Sequence, residues 1–373
     1  MLYWDNNATT ALAPEVLEAM LPFLRENFYN PSASYGPARE VRRAMQTARE
    51  QVAALVGAEP DEIVFTSGGT EAANTALAGM KNVLTLATEH PATLHTAAGD
   101  ACPVLTNGLA DLPTWKELLP GHDGASFAWA NHETGVLQPA RSLAQSAHEA
   151  GLRVHADLVQ AAGKVPVQLH ALEIDFASLS AHKLHGPKGV GALYIRRGTV
   201  LEKPFITGGD QEDLRRAGTE NVPGIIGFGK AAELALAAAD SYAALASLRD
   251  KFVELLRAGG VEVAINGAAA PRLPHVLNMR VPGVRAEDML HLLEPAGLLC
   301  SAGSACTSSH PSPSHVLLAM GLTDAQARES LRISLSRSTT AQDVERGAQI
   351  FLQALRALQS AQSPITGPVT VYR

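Results

Sequence analysis

The chain has 373 residues, of which 46% are hydrophobic and 18% charged, and its formal net charge is -7 at pH 7. This length suggests about two to three domains, and the composition is typical of a folded globular protein rather than a disordered or fibrous one. The negative charge argues against nonspecific binding to nucleic acid, which requires a basic face.

The N-terminal segment and the cysteines indicate a reducing compartment. Residues 1–7 contain neither a basic region nor an apolar run, so they do not resemble a secretory signal. The most apolar long segment, residues 222–239, is interrupted by Lys230 and Glu233 and fits a buried helix better than a membrane span. The cysteines form no CxxC pair and no disulfide framework. We therefore expect a cytoplasmic protein without a membrane or nucleic-acid partner.

Helical stretches alternate with short apolar strands from residue 14 to about residue 197. The predicted helices cover residues 14–27, 38–56, 70–80 and 141–150, and the predicted strands cover residues 62–66, 82–87, 125–130, 153–156, 176–180 and 191–195. Such alternation is typical of an α/β domain with a mostly parallel sheet covered by helices.

The rest of the chain predicts a smaller α+β domain, entered through one long Ala-rich helix over residues 222–258. Its predicted elements are strands 261–265, 275–280 and 331–335 and helices 286–295 and 341–358, followed by a loose tail over residues 359–373. We place a large domain at residues 13–245. We assign residues 1–12 and 246–373 to the small domain.

An acidic and a basic residue stand where two of the predicted strands end. Asp157 follows strand 153–156, and Lys183 follows strand 176–180. In open α/β sheets, ligands bind at the carboxyl ends of the strands. A carboxylate can keep a pyridine nitrogen protonated, and an amine can form a Schiff base with an aldehyde. The pair therefore indicates pyridoxal phosphate, although Lys183 could be a surface residue with Lys188 as the alternative amine.

A glycine-rich turn, Ser67-Gly-Gly-Thr-Glu71, follows a predicted strand and opens a predicted helix. Free backbone N–H groups at a helix N-terminus attract anions, so Gly69 and Thr70 are candidates to hold the phosphate of the cofactor. Taken alone, the motif is better explained as a plain turn with Thr70 as the N-cap. The Asp157 and Lys183 pair favours the functional interpretation.

Three other polar side chains follow predicted strands. His90 could stack on a flat ring and exchange protons, while Asn131 and Gln160 could donate hydrogen bonds to a ring oxygen. A single histidine is more often structural, and a buried amide often satisfies loop backbone. Each of these signals is weak without the others.

Eight short motifs occur in one order along the chain. They are Asp5-Asn-Asn-Ala-Thr-Thr10, Ser67-Gly-Gly-Thr-Glu71, Thr88-Glu-His90, Asn131-His-Glu-Thr-Gly135, His155-Ala-Asp157 with Gln160, Ser180-Ala-His-Lys183, Gly208-Gly-Asp-Gln-Glu212 with Gly218-Thr-Glu-Asn221, and Ser301-Ala-Gly-Ser-Ala-Cys306. Together they resemble the cysteine desulfurases, pyridoxal-phosphate enzymes of the class V aminotransferase type. The resemblance extends from Asp5 to Thr340 and implies a fold-type-I transferase that converts L-cysteine to L-alanine.

This resemblance implies roles around the cofactor ring. Lys183 would form the Schiff base and, once released by substrate, move the Cα proton. Asp157 would pair with the pyridinium nitrogen, and His90 would stack on the ring. Gln160 and Asn131 would contact the ring oxygen.

It also implies which residues bind the phosphate and the substrate. The phosphate would be held by Gly69, Thr70, Ser180 and His182. Thr219 would reach the phosphate of the cofactor bound in the other subunit, which implies a homodimer. Arg332 would bind the substrate carboxylate, with Arg337 as the alternative, and Asn131 would also contact the substrate.

Cys306 lies among small polar residues, which suits a mobile loop with an exposed thiol. The resemblance implies that its thiolate takes the substrate sulfur as a persulfide and delivers it to an acceptor, such as an iron–sulfur scaffold or a tRNA thiolation protein. The spacing from Cys306 to Arg332 resembles the branch of the family with a mobile cysteine loop. A buried apolar cysteine is the alternative, which we prefer for Cys102 and Cys300.

Four other interpretations remain open. A metal site at Cys300, Cys306 and His310 has no common ligand spacing, so we expect no metal apart from a transient iron–sulfur contact at Cys306. Nucleotide binding has only Gly227-x-Gly229 in its favour. A selenocysteine lyase or cysteine-sulfinate desulfinase would depend less on Cys306. A non-catalytic scaffold would keep the fold for binding a sulfur-transfer partner but would have no activity.

Overall fold

A seven-stranded sheet and a smaller antiparallel sheet organise the chain. The computed structural model describes residues 1–303 and 312–362. The strands are β1 (Leu2–Tyr3), β2 (Ile63–Thr66), β3 (Val83–Leu86), β4 (Ala101–Cys102), β5 (Gly124–Ala128), β6 (Arg153–Asp157), β7 (Phe176–Ser180), β8 (Gly191–Ile195), β9 (Ala264–Ile265), β10 (Val276–Arg280), β11 (Leu298–Leu299) and β12 (Ser330–Ser334). The α-helices are α1 (Pro14–Arg25), α2 (Gly36–Val56), α3 (Gly69–Leu77), α4 (Pro91–Leu94), α5 (Leu112–Leu118), α6 (Ala140–Glu149), α7 (Val222–Ala237), α8 (Ala239–Ala258), α9 (Ala286–Leu293), α10 (His315–Ala319), α11 (Asp324–Arg328) and α12 (Ala341–Gln362).

The large sheet has the strand order β2-β8-β7-β6-β5-β3-β4. Strand β8 runs antiparallel to β2 and β7, and the other neighbouring pairs are parallel. Every residue of β5 and β7 is buried, as expected for strands covered on both faces. The prediction of a mostly parallel, helix-covered sheet is confirmed.

A second hydrophobic core joins the two ends of the described chain. Its sheet has the order β12-β10-β9, and β1 pairs with β11 beside it. Trp4 packs edge-on against Phe252 at a centroid distance of 5.2 Å, and Phe252 packs against Phe351 in the same way. The predicted boundary between residues 245 and 246 falls inside α8, so this assignment of domains remains a prediction.

The prediction of one helix over residues 222–258 was wrong. Helices α7 and α8 meet at a bend of 68°, where Ala238 leaves helical geometry. The reason is that α7 packs against α1 and α2 on the large core, whereas α8 contributes to the second core. The predicted tail also begins too early, because residues 359–362 belong to α12. The rest of the predicted tail, residues 363–373, lies outside the described residues.

None of the described helices alone is long and apolar enough to cross a bilayer. The bent pair formed by Val222–Ala237 and Asp240–Ala258 meets that criterion by length and composition. Within this pair, most of the buried side chains of α7 belong to the large hydrophobic core.

Candidate active site

A cavity of about 250 Å³ lies where β6 and β7 end at the same edge of the large sheet. Nine of the residues predicted for the site line it, namely Gly69, Thr70, His90, Asp157, Gln160, Ser180, His182, Lys183 and Arg332. Parallel strands deliver their carboxyl ends to one edge, which explains why residues distant in sequence meet here. Asn131 and Thr219 do not line this cavity.

Asp157 and Lys183 provide the acidic and basic groups of the cavity. Asp157 ends β6, and its Oδ1 accepts a hydrogen bond of 2.8 Å from the backbone N–H of Val159. Burial raises the pKa of Asp157, while that hydrogen bond and the nearby His90 and Lys183 side chains oppose the rise. The ammonium of Lys183 donates to the carbonyl oxygens of Asn7 and Ala8, the latter at 2.8 Å. A cation inside the cavity therefore stabilises the carboxylate.

Lys188, the alternative amine, is exposed and does not line the cavity. Lys183 follows β7 directly, in a short 3-10 turn over Ala181–Lys183. This turn aims its side chain back toward the N-terminal segment. Lys183 is therefore the lysine placed to react with a ligand in the cavity.

The ring of His90 is held in one orientation at the start of α4. The backbone N–H of Ala92 donates to its Nδ1 at 3.1 Å, so the neutral ring carries its proton on Nε2. Burial lowers the pKa of His90, although the nearby Asp157 carboxylate opposes this. A neutral, oriented ring suits stacking on a flat cofactor and proton transfer through Nε2.

The start of α3, where the phosphate is predicted to bind, forms part of the cavity wall. A Cβ atom at Gly69 would lie 2.6 Å from Cγ2 of Val159, so a larger residue would displace the cavity wall. His182 keeps its Nδ1 at 3.1 Å from Oγ1 of Thr9, and burial together with Lys183 lowers the pKa of His182 to about 4. The free N–H groups of the first helical turn are suited to a phosphate.

Arg332 reaches the cavity from β12 on the second core. Its Nη2 donates to Oδ1 of Asp5 at 2.7 Å, and its Nη1 donates to the backbone oxygen of His132 at 3.0 Å. Its buried Nε has no hydrogen-bond partner among the described residues. A buried guanidinium with an unused donor beside a cavity fits an incoming carboxylate.

Asn131 does not line the cavity and contributes through hydrogen bonds to the neighbouring loop. Its Oδ1 accepts hydrogen bonds from the backbone N–H groups of Glu133 and Thr134, both at 2.9 Å, and its Nδ2 donates to the backbone oxygen of Thr88 at 3.0 Å. These bonds fix the loop that carries His132. The contacts of Asn131 with a ring oxygen and with substrate remain predictions.

Asn7, which lies in the first of the eight motifs, is a central residue of the site. No role was predicted for it. Its Nδ2 donates to the backbone oxygen of His132 at 3.1 Å, and its Oδ1 lies 3.0 Å from Nε2 of His275. Its backbone oxygen accepts from Nε2 of Gln160 at 3.1 Å and from Lys183. Position in the first motif was the only sequence signal for this role.

Cys102 and Cys300 are unsuited to nucleophilic chemistry. Burial raises the pKa of Cys102 to about 11 and that of Cys300 to about 12, so both thiols stay protonated. Cys306 lies outside the described residues, as does His310 of the alternative metal site. The assignment of Cys306 as the nucleophile remains a prediction.

The residues present fit pyridoxal phosphate. Asp157 matches a protonated ring nitrogen, Lys183 an aldehyde, and the start of α3 a phosphate. Arg332 lines the same cavity, and a guanidinium matches a substrate carboxylate. The donor and acceptor groups thus correspond to the reactive parts of this cofactor.

Comparison with known proteins agrees with this site. Residues 2–346 match the family model described as aminotransferase class-V. A cysteine desulfurase of Cereibacter sphaeroides is 43% identical over 96% of this chain and 97% of its own length, and one of Gluconacetobacter diazotrophicus is 45% identical over 92% and 91%. A solved structure of a NifS-like protein has a TM-score of 0.88 at 35% identity, covering 95% of this chain and 99% of the other.

The chain therefore belongs to the class-V aminotransferase family of pyridoxal-phosphate enzymes, and within it to the group of the cysteine desulfurases. The fold is the fold-type-I transferase architecture that the resemblance implied. This confirms the predictions of fold and cofactor.

Replacing Gly69 with alanine should weaken binding of pyridoxal phosphate by about 10- to 100-fold, because overpacking a tight wall costs about 1–3 kcal/mol. Titration of the cofactor-free protein, followed by absorbance, measures this affinity. Gly68→Ala is the matched control, since a Cβ at Gly68 meets no atom within 4 Å and its backbone is extended. Equal affinities of the two variants would contradict this account of the cavity wall.

Proposed function

We propose that this protein is a cysteine desulfurase that converts L-cysteine to L-alanine and holds the released sulfur as a persulfide on Cys306. The observation that carries the proposal is the convergence of Asp157, Lys183, His90 and Arg332 on one cavity. Membership of the family and the names of the relatives support the same activity.

When bound, pyridoxal phosphate supplies an aldehyde that takes up the substrate amine and a ring that accepts electrons. Asp157 would favour a proton on the ring nitrogen, because a carboxylate beside that nitrogen stabilises its charged form. Arg332 orients the substrate through its carboxylate. Lys183 then takes the Cα proton at Nζ, and His90 can hold a proton at Nε2 because its Nδ1 is occupied by Ala92.

Cys306 performs the sulfur transfer in this proposal. Its thiolate attacks the substrate sulfur, an S–S bond forms, and the C–S bond of the substrate breaks. The electron pair of that bond stays with the carbon, which is protonated to give the methyl group of alanine. The buried, protonated thiols of Cys102 and Cys300 support this choice by elimination among the cysteines.

We further propose a cytoplasmic homodimer that hands its sulfur to an acceptor protein, such as an iron–sulfur scaffold or a tRNA thiolation protein. Thr219 is exposed and lies away from its own cavity, which fits a role in the partner's site. Large apolar side chains are also exposed near the N-terminus, with Leu24 at 57% and Phe28 at 72%. The free thiols of Cys102 and Cys300 are compatible with a reducing cytoplasm.

Replacing Cys306 with alanine should lower L-alanine formation from L-cysteine by on the order of 100-fold or more, because the nucleophile is lost. Mass spectrometry of the wild-type protein after exposure to L-cysteine should find one additional sulfur on the peptide that contains Cys306. Cys102→Ala and Cys300→Ala are matched controls that keep both the adduct and the turnover. Full cysteine turnover in Cys306→Ala, together with turnover of selenocysteine or cysteine sulfinate, would instead support the alternative lyase or desulfinase.

Mixing two defective variants tests the shared site. Thr219→Val should weaken cofactor binding by about 10-fold, and Lys183→Ala should abolish activity. If Thr219 acts in the partner's site, a mixed dimer contains one site with both residues intact and regains activity at limiting cofactor. Sedimentation should also find two chains per particle. A monomer, or a mixture without restored activity, would contradict the proposed arrangement.

A further inference from the structure

Lys164 is a buried lysine with no role in the steps above. Only 4% of its surface is exposed, and its Nζ donates one hydrogen bond, to Oε1 of Gln160 at 3.0 Å. Within residues 1–303 and 312–362, no carboxylate forms an ion pair with it. Removing an ammonium from water costs several kcal/mol when no anion compensates it. A group buried at such a cost is a candidate for a function in the adjacent cavity.

The hydrogen bond between these residues determines which end of the Gln160 amide faces the lysine. In its ammonium form Lys164 has three donors and no acceptor, so it holds the amide oxygen, rather than Nε2, at 3.0 Å. The Nε2 end then points the other way, where it donates to the backbone oxygen of Asn7 at 3.1 Å. Because Nε2 carries a second N–H and Gln160 lines the cavity, the amide presents a donor there.

The backbone conformation places the side chains of Gln160 and Lys164 next to each other. Residues 159–164 form a turn after β6, in which Ala161 donates to Leu158 and Lys164 donates to Ala161, at 2.9 and 3.0 Å. The hydrogen bond between the two side chains shows that this turn places them on the same side. Gly163 has a φ of +67°, and a Cβ there would lie 2.8 Å from Cβ of Ala235, so the turn is packed closely against α7.

We propose that Lys164 is a positioning residue that holds Gln160 with its amide donor directed at the ring oxygen of the bound cofactor. The proposal rests on the proposed function, because that oxygen belongs to pyridoxal phosphate. A donor at this point stabilises the ionised ring oxygen, whereas a reversed amide would place an acceptor against it. Lys164 thus acts on the ring through Gln160 rather than by direct contact.

The groups around Lys164 carry positive or no charge. The titratable side chains that interact with it are Lys183, His182, His185 and His275. Burial, together with repulsion from Lys183, lowers the pKa of Lys164 to about 7. The phosphate and ring oxygen of the cofactor bring negative charge to this region, which favours the ammonium form in the loaded enzyme.

The test is a pH titration of the visible absorption band of the cofactor-loaded enzyme, with and without Lys164→Met. Methionine keeps the length and packing of the stem but removes the donor that orients Gln160. The midpoint of the titration should rise by about one pH unit, the equivalent of one hydrogen bond to the ring oxygen. In a Gln160→Leu background, the same substitution should leave the midpoint unchanged.

Lys230→Met is the matched control, because Lys230 forms a surface ion pair with Glu233 and its loss should leave the midpoint unaltered. Should the methionine variant fail to fold, Lys164→Leu carries the same expectation, since leucine also lacks a donor for Gln160. A folded Lys164 variant with the wild-type midpoint would overturn the role of Lys164 but not the proposed function. A wild-type protein that shows no cofactor band would overturn the proposed function and the inference with it.

Discussion

The carboxylate of Asp157, removed from bulk water at the end of β6, is the constraint on which the site depends. Burial disfavours its charged form and raises its pKa, and the hydrogen bond from Val159 together with His90 and Lys183 offsets part of that cost. A protonated ring nitrogen would add another such cation at the same place. The sheet therefore positions an acid whose charge is most stable when the cavity is occupied by a cationic ring.

The N-terminal segment connects this acid to the rest of the molecule. Asn7 hydrogen-bonds with His132 and Gln160 on the large-sheet side, and its backbone N–H donates to Oγ of Ser334 on β12 at 2.9 Å. Arg332 on β12 also connects the two sides, because it donates a hydrogen bond to the backbone oxygen of His132. The cavity is thus complete only when both hydrophobic cores are packed together, which links substrate binding to the packing of the two sheets.

Local pattern predicted much of this architecture. The bounds of β7 and β8 agree residue by residue with the predicted strands, because a short apolar run flanked by polar residues specifies a buried strand. Asp157 and Lys183 could be identified because strand ends in an α/β sheet converge. The resemblance added the phosphate-binding role of His182, and it added Arg332, which no local pattern distinguishes from an ordinary strand-edge arginine.

What remained hidden depends on contacts between distant segments. The bend at Ala238 arises because successive helices pack on different cores, and a continuous Ala-rich run contains no sign of it. Burial of Lys164 beside Lys183 and the hydrogen bond from the Asn131 amide to Thr88 likewise depend on residues far away in sequence. Residue type and spacing place a side chain near a site, but tertiary packing decides which way it points.

Chemical trapping of the bound cofactor tests the central claim most directly. Borohydride reduction of the enzyme loaded with pyridoxal phosphate converts the Schiff base into a stable secondary amine, and peptide mass spectrometry then locates it. The account predicts a phosphopyridoxyl group on Lys183 alone. Modification of Lys164 or Lys188 in its place, or no modification of any lysine, would contradict it.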